Sequence, residues 1–229
     1  MNDTVPVSVI VPVRNGAAHL AAALDSVAAQ QPRPAEILVI DGDSTDDSAA
    51  IAHGFPHVRV IRQTGRGLAA ARNEAIRMTR HPLLAFCDAD DRWTTGALTA
   101  RTDALRDNPR ALAVIGRVMR EQIAGTTPSP AQKDRVGRAV PGFTPGAMLV
   151  RREAFDRIGG FDESLTIGAD SDWFVRLQQS GPPALQLDTV VLRKGTRGTS
   201  LSTDVATYRR ELLTVARRFI DRQRGVTGP

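Results

Sequence analysis

At 229 residues, 41% of them hydrophobic and 24% charged, the chain is long enough and apolar enough to bury a sizeable core, which excludes disordered and fibrous classes. One cysteine, Cys87, excludes an internal disulfide framework; no apolar run approaches the ~20 residues that span a bilayer and no secretory leader is visible, so a soluble cytoplasmic protein is expected. The net charge of +5 is almost all arginine, Lys133 and Lys194 being the only lysines, but the basic residues are scattered and aromatics make up only 4%, so nucleic acid is not an expected partner.

The first half alternates β-branched runs with alanine-rich stretches. Val7 to Val13 reads as a strand, Ala17 to Ala29 as a helix stopped before Pro32, and Glu36 to Ile40 as a second strand. Ser44 or Thr45 is expected to cap a short helix ending at His53, with Asp46 and Asp47 in its first turn. Strand Val58 to Arg62, helix Leu68 to Thr79 and strand Pro82 to Cys87 follow. Apolar strands separated by helices predict an α/β fold with a mostly parallel sheet covered on both sides, whose ligands bind at the carboxyl ends of the strands.

The second half begins with a helix at Ala97 to Arg106 and a strand at Leu112 to Val118. Gln122 to Pro145, rich in Gly, Pro, Ser and Thr, has the texture of a lid or binding loop. Then come a strand at Ala147 to Val150, a helix at Arg152 to Ile158, a break at Gly159 and Gly160, a helix at Asp170 to Ser180, a strand at Ala184 to Leu192 and a last helix at Thr203 to Arg224. On that helix Val205, Tyr208, Leu212, Val215 and Phe219 form a stripe expected to pack on the core. A homodimer through the stripe, or an arginine face on acidic lipid, are the sharper alternatives.

Three strand-end loops carry the chemistry. Asp41 to Asp47 reads D-G-D-S-T-D-D, but a calcium loop needs glycine at its sixth position and glutamate at its twelfth, where Asp46 and Ala52 stand. Asp41 is set apart by its place at the strand end. Gly65 to Ala70 reads G-R-G-L-A-A with Asp88 about twenty residues on; this resembles a dinucleotide fingerprint, misplaced after the third strand. With Arg72 one turn later it forms either an anion site or a simple glycine turn. Phe86 to Asp91 reads F-C-D-A-D-D. Two carboxylates two residues apart suit Mg2+ or Mn2+ on a substrate diphosphate, or else cap the next helix.

Val7 to Asn15 (V-S-V-I-V-P-V-R-N), Ile40 to Asp46, Gly67 to Asn73 (G-L-A-A-A-R-N) and Asp88 to Asp90 resemble, in order, the motifs of the family 2 inverting glycosyltransferases of GT-A fold. That resemblance implies a nucleotide-sugar donor, UDP-linked, and a hydroxyl acceptor that is a glycan, small metabolite or peptide. The first-strand segment around Pro12, with Val13 and Asn15, and the acid Asp41 would then frame the nucleobase. Arg72 would contact the diphosphate, Asp88 would lie near the ribose, and Asp90 would bind a divalent cation, Mn2+ or Mg2+.

Gly146 to Arg152, Ile158 to Glu163 and Gly168 to Leu177 (G-A-D-S-D-W-F-V-R-L) resemble the acceptor-side motifs. Asp170 falls on the family's catalytic base. Gly146 and Trp173 would lie on the acceptor side, Asp170 and Trp173 sharing one helical face that sets a carboxylate beside an aromatic able to hold a sugar ring; without the resemblance Asp170 reads as a cap and Trp173 as core. Two departures stand out. The family's acid before the base is Ala169, and the segment that usually holds a histidine metal ligand is Arg193 to Ser200, where Lys194 or Arg197 could supply charge at the diphosphate and the metal would bind weakly. The motifs imply one catalytic domain over 1–229, with a donor half at 1–118 and an acceptor half with the C-terminal helix at 119–229. A nucleotide-sugar binder without transfer activity and a dinucleotide-dependent oxidoreductase are the rival functions.

Overall fold

The computed structural model describes residues 3–122, 136–181, 184–196 and 204–224. The strands are β1 (Thr4–Val13), β2 (Arg33–Asp41), β3 (Val58–Arg62), β4 (Leu83–Phe86), β5 (Asp91–Trp93), β6 (Ala113–Gln122), β7 (Ala139–Pro141), β8 (Met148–Arg151) and β9 (Leu185–Thr196). The helices are α1 (Ala17–Ala28), α2 (Ser48–His53), α3 (Leu68–Met78), α4 (Ala97–Asp107), α5 (Arg152–Ile158), α6 (Ala169–Gln179) and α7 (Val205–Gln223). All the strands join one sheet in the order β3-β2-β1-β4-β8-β6-β9-β5, with β7 also on β6.

Its first half is parallel. β1 lies between β2 and β4, with Ile10 beside Leu38 on one side and Phe86 on the other, and every β1 side chain from Val7 on is buried. Strands apolar on both faces need cover on both, which the crossover helices supply. α1 buries Leu20, Ala23, Leu24 and Val27, the three- and four-residue spacing of one helical face, and α3 buries a run of alanines that allows close approach to β1 and β2.

The second half continues the same sheet with mixed polarity. β8 runs antiparallel to both β4 and β6, β9 is parallel to β6, and β5 returns antiparallel to β9. β5 and β7 were not expected from sequence. At three residues each they are too short for a period, and their partners alone define them. The part of the expected 122–145 loop at 123–135 lies outside the described residues.

Two local expectations are corrected. Neither Ser44 nor Thr45 caps α2, which starts at Ser48 without a side-chain cap. Ser44 Oγ accepts from the Asn15 amide, Thr45 N donates to Asn15 Oδ1, and Asp46 accepts from the Ala17 amide at the start of α1. These residues brace the β1–α1 turn, where Asn15 takes a positive φ of 51°. On α7, Val215 is buried but Tyr208 and Phe219 are exposed, and the polar residue beneath the helix is Glu211. Glu211 faces inward because three backbone amides, described below, donate to it; of the Val205 side chain nothing is described.

β6 and β9 approach closely at Gly116, where a Cβ would come within 2.4 Å of a Val191 methyl. Gly116→Ala is expected to cost about 1–3 kcal/mol through overpacking, lowering the midpoint of thermal unfolding by roughly 2–4 °C per kcal/mol, as circular dichroism melts would read.

Candidate functional site

The carboxyl end of β4 and the loops around it bring five charged side chains from five segments into one row. Asp88 follows β4, and Arg72 lies in the second turn of α3. Arg72 is 1% exposed, and a buried guanidinium must find anionic partners. It finds two: Nη2 donates to Asp88 Oδ1 at 2.8 Å and Nη1 to Asp170 Oδ1 at 2.6 Å. Asp170 comes from the first turn of α6, 98 residues away. Phe161 places its ring 5.5 Å from the Arg72 guanidinium carbon, so the ion pair has an apolar wall.

The row extends on the other side of Asp88. Lys194, on β9, sits opposite Asp91 in the β5–β9 ladder. Its ammonium is 2.9 Å from Asp91 Oδ2 and 3.6 Å from Asp88 Oδ2, and Asp91 Oδ1 accepts from the Gly195 amide. The order is Asp91, Lys194, Asp88, Arg72, Asp170, alternating in sign. Asp91 is fully buried, whereas the Lys194 side chain keeps 25% of its surface open, its ammonium held between Asp91 and Asp88.

The electrostatics follow. The two cations hold the Asp88 carboxyl down at about 2, overcoming burial. Burial, with Asp88 and Asp90 adjacent, pushes Asp91 up to about 7 against the pull of Lys194. Burial also raises Asp170 above the ordinary aspartate value, opposed by Arg72. Lys194 and Arg72 are held protonated by the acids around them. Asp90 is half-buried and near enough to add its charge at Asp91 and Lys194.

The other expected residues lie as follows. Pro12 and Val13 are buried at the end of β1, beside Ile40 and Asp41 of β2. Asn15 is exposed just beyond, and Asp41 is buried, with its carboxylate accepting from Ser44 N and Oγ. Gly146 is buried in a 3-10 turn (Pro145–Ala147), where a Cβ would meet Leu192 at 2.9 Å and Asp91 Oδ2 at 3.6 Å, so it lies under the same row. Arg197 lies outside the described residues.

Three expectations change. Arg72 is enclosed by protein carboxylates and exposes almost no guanidinium surface for a phosphate to reach. Trp173 is wholly buried, stacked on Phe155 with centroids 4.8 Å apart, its indole N–H donating to the Gly159 carbonyl; no ring face is open to a sugar. The Gly65–Gly67 loop is not an empty anion cradle either. The Thr64 and Gly65 amides and the Thr64 hydroxyl all donate to Glu74 of α3, so the entry to the loop is tied to a protein carboxylate.

Sequence reasoning missed two buried acids that hold this frame together. Asp91 anchors Lys194. Glu211 of α7 accepts from the amides of Thr166, Ile167 and Gly168 at 3.0, 2.8 and 2.7 Å, closing the N-terminal end of α6, the helix that carries Asp170. The signal for Glu211 was present: it is the acid four residues before Val215 on an otherwise arginine-rich helix. Glu211→Ala leaves three amides unpaired and is expected to destabilise the fold by about 1–3 kcal/mol, with Glu211→Gln recovering part of the loss in chemical denaturation.

Residues 8–159 match the family model described as Glycosyl transferase family 2. The succinoglycan biosynthesis protein ExoU of Rhizobium meliloti (strain 1021) is 32% identical over 225 residues, which is 86% of this chain and 64% of that protein. The chain thus spans less than two thirds of that relative's length. Among solved structures, S. aureus TarS 1-349 in complex with UDP-GlcNAc aligns with a TM-score of 0.72 at 18% identity, over 92% of this chain and 65% of its own. The mannosyltransferase PcManGT from Pyrobaculum calidifontis, in complex with GDP-Man and Mn2+, aligns with a TM-score of 0.70 at 23% identity, over 94% of this chain and 64% of its own. At these identities the structural likeness is one of fold.

Proposed function

The chain belongs to glycosyl transferase family 2 and has the GT-A fold, and from that premise we propose that it moves a sugar from a UDP-linked donor to an acceptor hydroxyl with inversion. The observation that carries this reading is the bridge of Arg72 between Asp88, in the loop after β4, and Asp170, on α6. It joins the donor-side carboxylate to the proposed base through one buried cation.

In this reading Asp170 keeps Oδ1 on Arg72 and uses Oδ2 to take the proton of the acceptor hydroxyl. The acceptor oxygen attacks the anomeric carbon from the face opposite the leaving group. A carbon–oxygen bond forms, the bond to the diphosphate breaks, and the nucleoside diphosphate departs with the electron pair. General base catalysis of this kind contributes about 10²–10⁴ in rate. Arg72 acts as a positioning residue, fixing one carboxylate oxygen and leaving the other free to act. Pro12, Val13, Asn15 and Asp41 line the nucleobase end, and Lys194 supplies positive charge at the diphosphate.

Four carboxylates, Asp88, Asp90, Asp91 and Asp170, face two cations, Arg72 and Lys194. A diphosphate would meet excess negative charge there, so the residues fit a divalent ion that enters with the donor. No cluster of three histidine, cysteine, aspartate or glutamate side chains forms a protein cage among the described residues. One carboxylate with substrate phosphates and water is the manner in which Mg2+ is commonly held. Asp90 would hold the ion, Mn2+ or Mg2+, whose charge neutralises the leaving diphosphate.

Asp170→Asn is expected to lower transfer from a UDP-sugar by about 10²–10⁴ while leaving the thermal shift produced by UDP with Mn2+ intact; Asp90→Ala is expected to lose the Mn2+-dependent part of that shift. Full transfer activity in both variants would overturn the site assignment. Stabilisation by NAD alone would favour the oxidoreductase rival, and a UDP shift with no product in any acceptor pool would favour a binder.

Transfer also has a signed pH dependence. The base must be ionised, and burial raises Asp170 above the usual 3.8, so activity falls as pH drops through that raised value. The acid limb of the rate profile is therefore expected above the range of an exposed aspartate, and absent from Asp170→Asn.

A further inference from the structure

The large apolar side chains exposed among the described residues are Met78, Phe143, Tyr208, Leu213, Phe219 and Ile220, and the last four all lie on α7. Leu213 is 62% and Ile220 44% exposed, and seven residues apart they fall on one line along the helix. That line faces away from the protein, since the opposite side carries buried Glu211 and Val215. Arg209 and Arg217 flank it closely, with Arg210 and Arg224 beyond, and all four are exposed. Arg209, Arg217 and Arg224 form no ion pair with another described residue. By contrast Arg218, toward the protein, pairs with Asp162, and Arg222 bonds Gln179.

From this arrangement we propose that the outward face of α7 rests on an anionic lipid surface, with Leu213 and Ile220 in the interfacial layer and the arginines on phosphate headgroups. The pattern is that of an interfacial helix, an apolar line bordered by forked cations, and each guanidinium can bind phosphate with two donors. Charge complementarity selects this occupant. A second copy would set one arginine row against another, and like charges facing each other across an interface are costly. The helix is not apolar enough to cross a bilayer, so contact would be lateral. The inference stands apart from the transfer reading, because no residue in it belongs to the charged row.

The test is co-sedimentation of the full chain with vesicles of phosphatidylcholine alone and of phosphatidylcholine with about a third phosphatidylglycerol. Binding is expected to the anionic vesicles only, weakening as salt is raised. Replacing three arginines together, Arg209→Gln, Arg217→Gln and Arg224→Gln, is expected to lower the partition coefficient about 100-fold. Leu213→Gln with Ile220→Gln is expected to lower it as well, with unchanged circular dichroism melts showing that the variants still fold. Equal binding to both vesicle types, no binding to either, or no response to the arginine replacements would overturn the proposal. A change from dimer to monomer in Leu213→Gln with Ile220→Gln, read by light scattering, would assign the face to a second copy instead.

Discussion

A guanidinium taken almost wholly out of water at Arg72 is the constraint from which the site takes its shape. An isolated charge there would cost several kcal/mol, and the cost is offset only by paired, hydrogen-bonded anions. Asp88 and Asp170 supply them from opposite directions, so α3, the end of β4 and the first turn of α6 are tied to one point. The surrounding acids and cations then fall into line: Lys194 takes the other side of Asp88, and Asp91 takes the other side of Lys194. Each cation has two acid partners, so losing Arg72 strands Asp170 and losing Lys194 strands Asp91, whereas losing any one acid leaves both cations paired. The two cations hold Asp88 at about 2, while burial pushes Asp91, three residues away and with only Lys194 to oppose it, up to about 7.

The aromatic cluster serves the same end by packing. Phe86, Phe155, Phe161 and Trp173 meet beneath Arg72, with Phe161 turned edge-on to Phe86 and Trp173 stacked on Phe155. Asn73, next to Arg72, donates to the Phe161 carbonyl and accepts from the Phe161 amide, fixing the segment whose ring walls the guanidinium. A Cβ on Gly160 would come within 2.5 Å of Asn73, so a glycine is what lets that segment approach. Arg176 holds the same turn from α6 through the carbonyls of Ile158 and Gly160. The Gly159-Gly160 break expected from composition is thus a clamp point between the two halves of the chain.

Elements with a clear period were legible in the sequence: the apolar run of β1, the alanine face of α1 and the placement of Asp41, Asp88 and Asp170 at element ends. The family motifs located Arg72, Asp88 and Asp170 but neither Asp91 nor the relation among them, because a pair 98 residues apart such as Arg72 and Asp170 leaves no local pattern. Trp173 illustrates the limit. Its position beside Asp170 on a helix suggested a sugar platform, yet three phenylalanines within ring-contact distance decide its burial. Glu211 shows the converse, a polar residue on a core-facing side whose partners are backbone amides, groups that no side-chain pattern displays. The arginine excess likewise resolves only in three dimensions: Arg101 lies over the Trp93 ring, while Arg151 and Arg152 staple backbone carbonyls, so part of the positive charge is internal scaffolding.

β8 lies hydrogen-bonded between β4 and β6. Because one sheet runs from the strands that end at Val13 and Asp41 to β9, which holds Lys194, the two halves cannot swing about a hinge between β4 and β6 without breaking backbone bonds in the middle of the sheet. Among the described residues the sheet itself therefore sets the spacing between the β4 loop and β9, and a ligand that altered it would have to break strand pairing to do so.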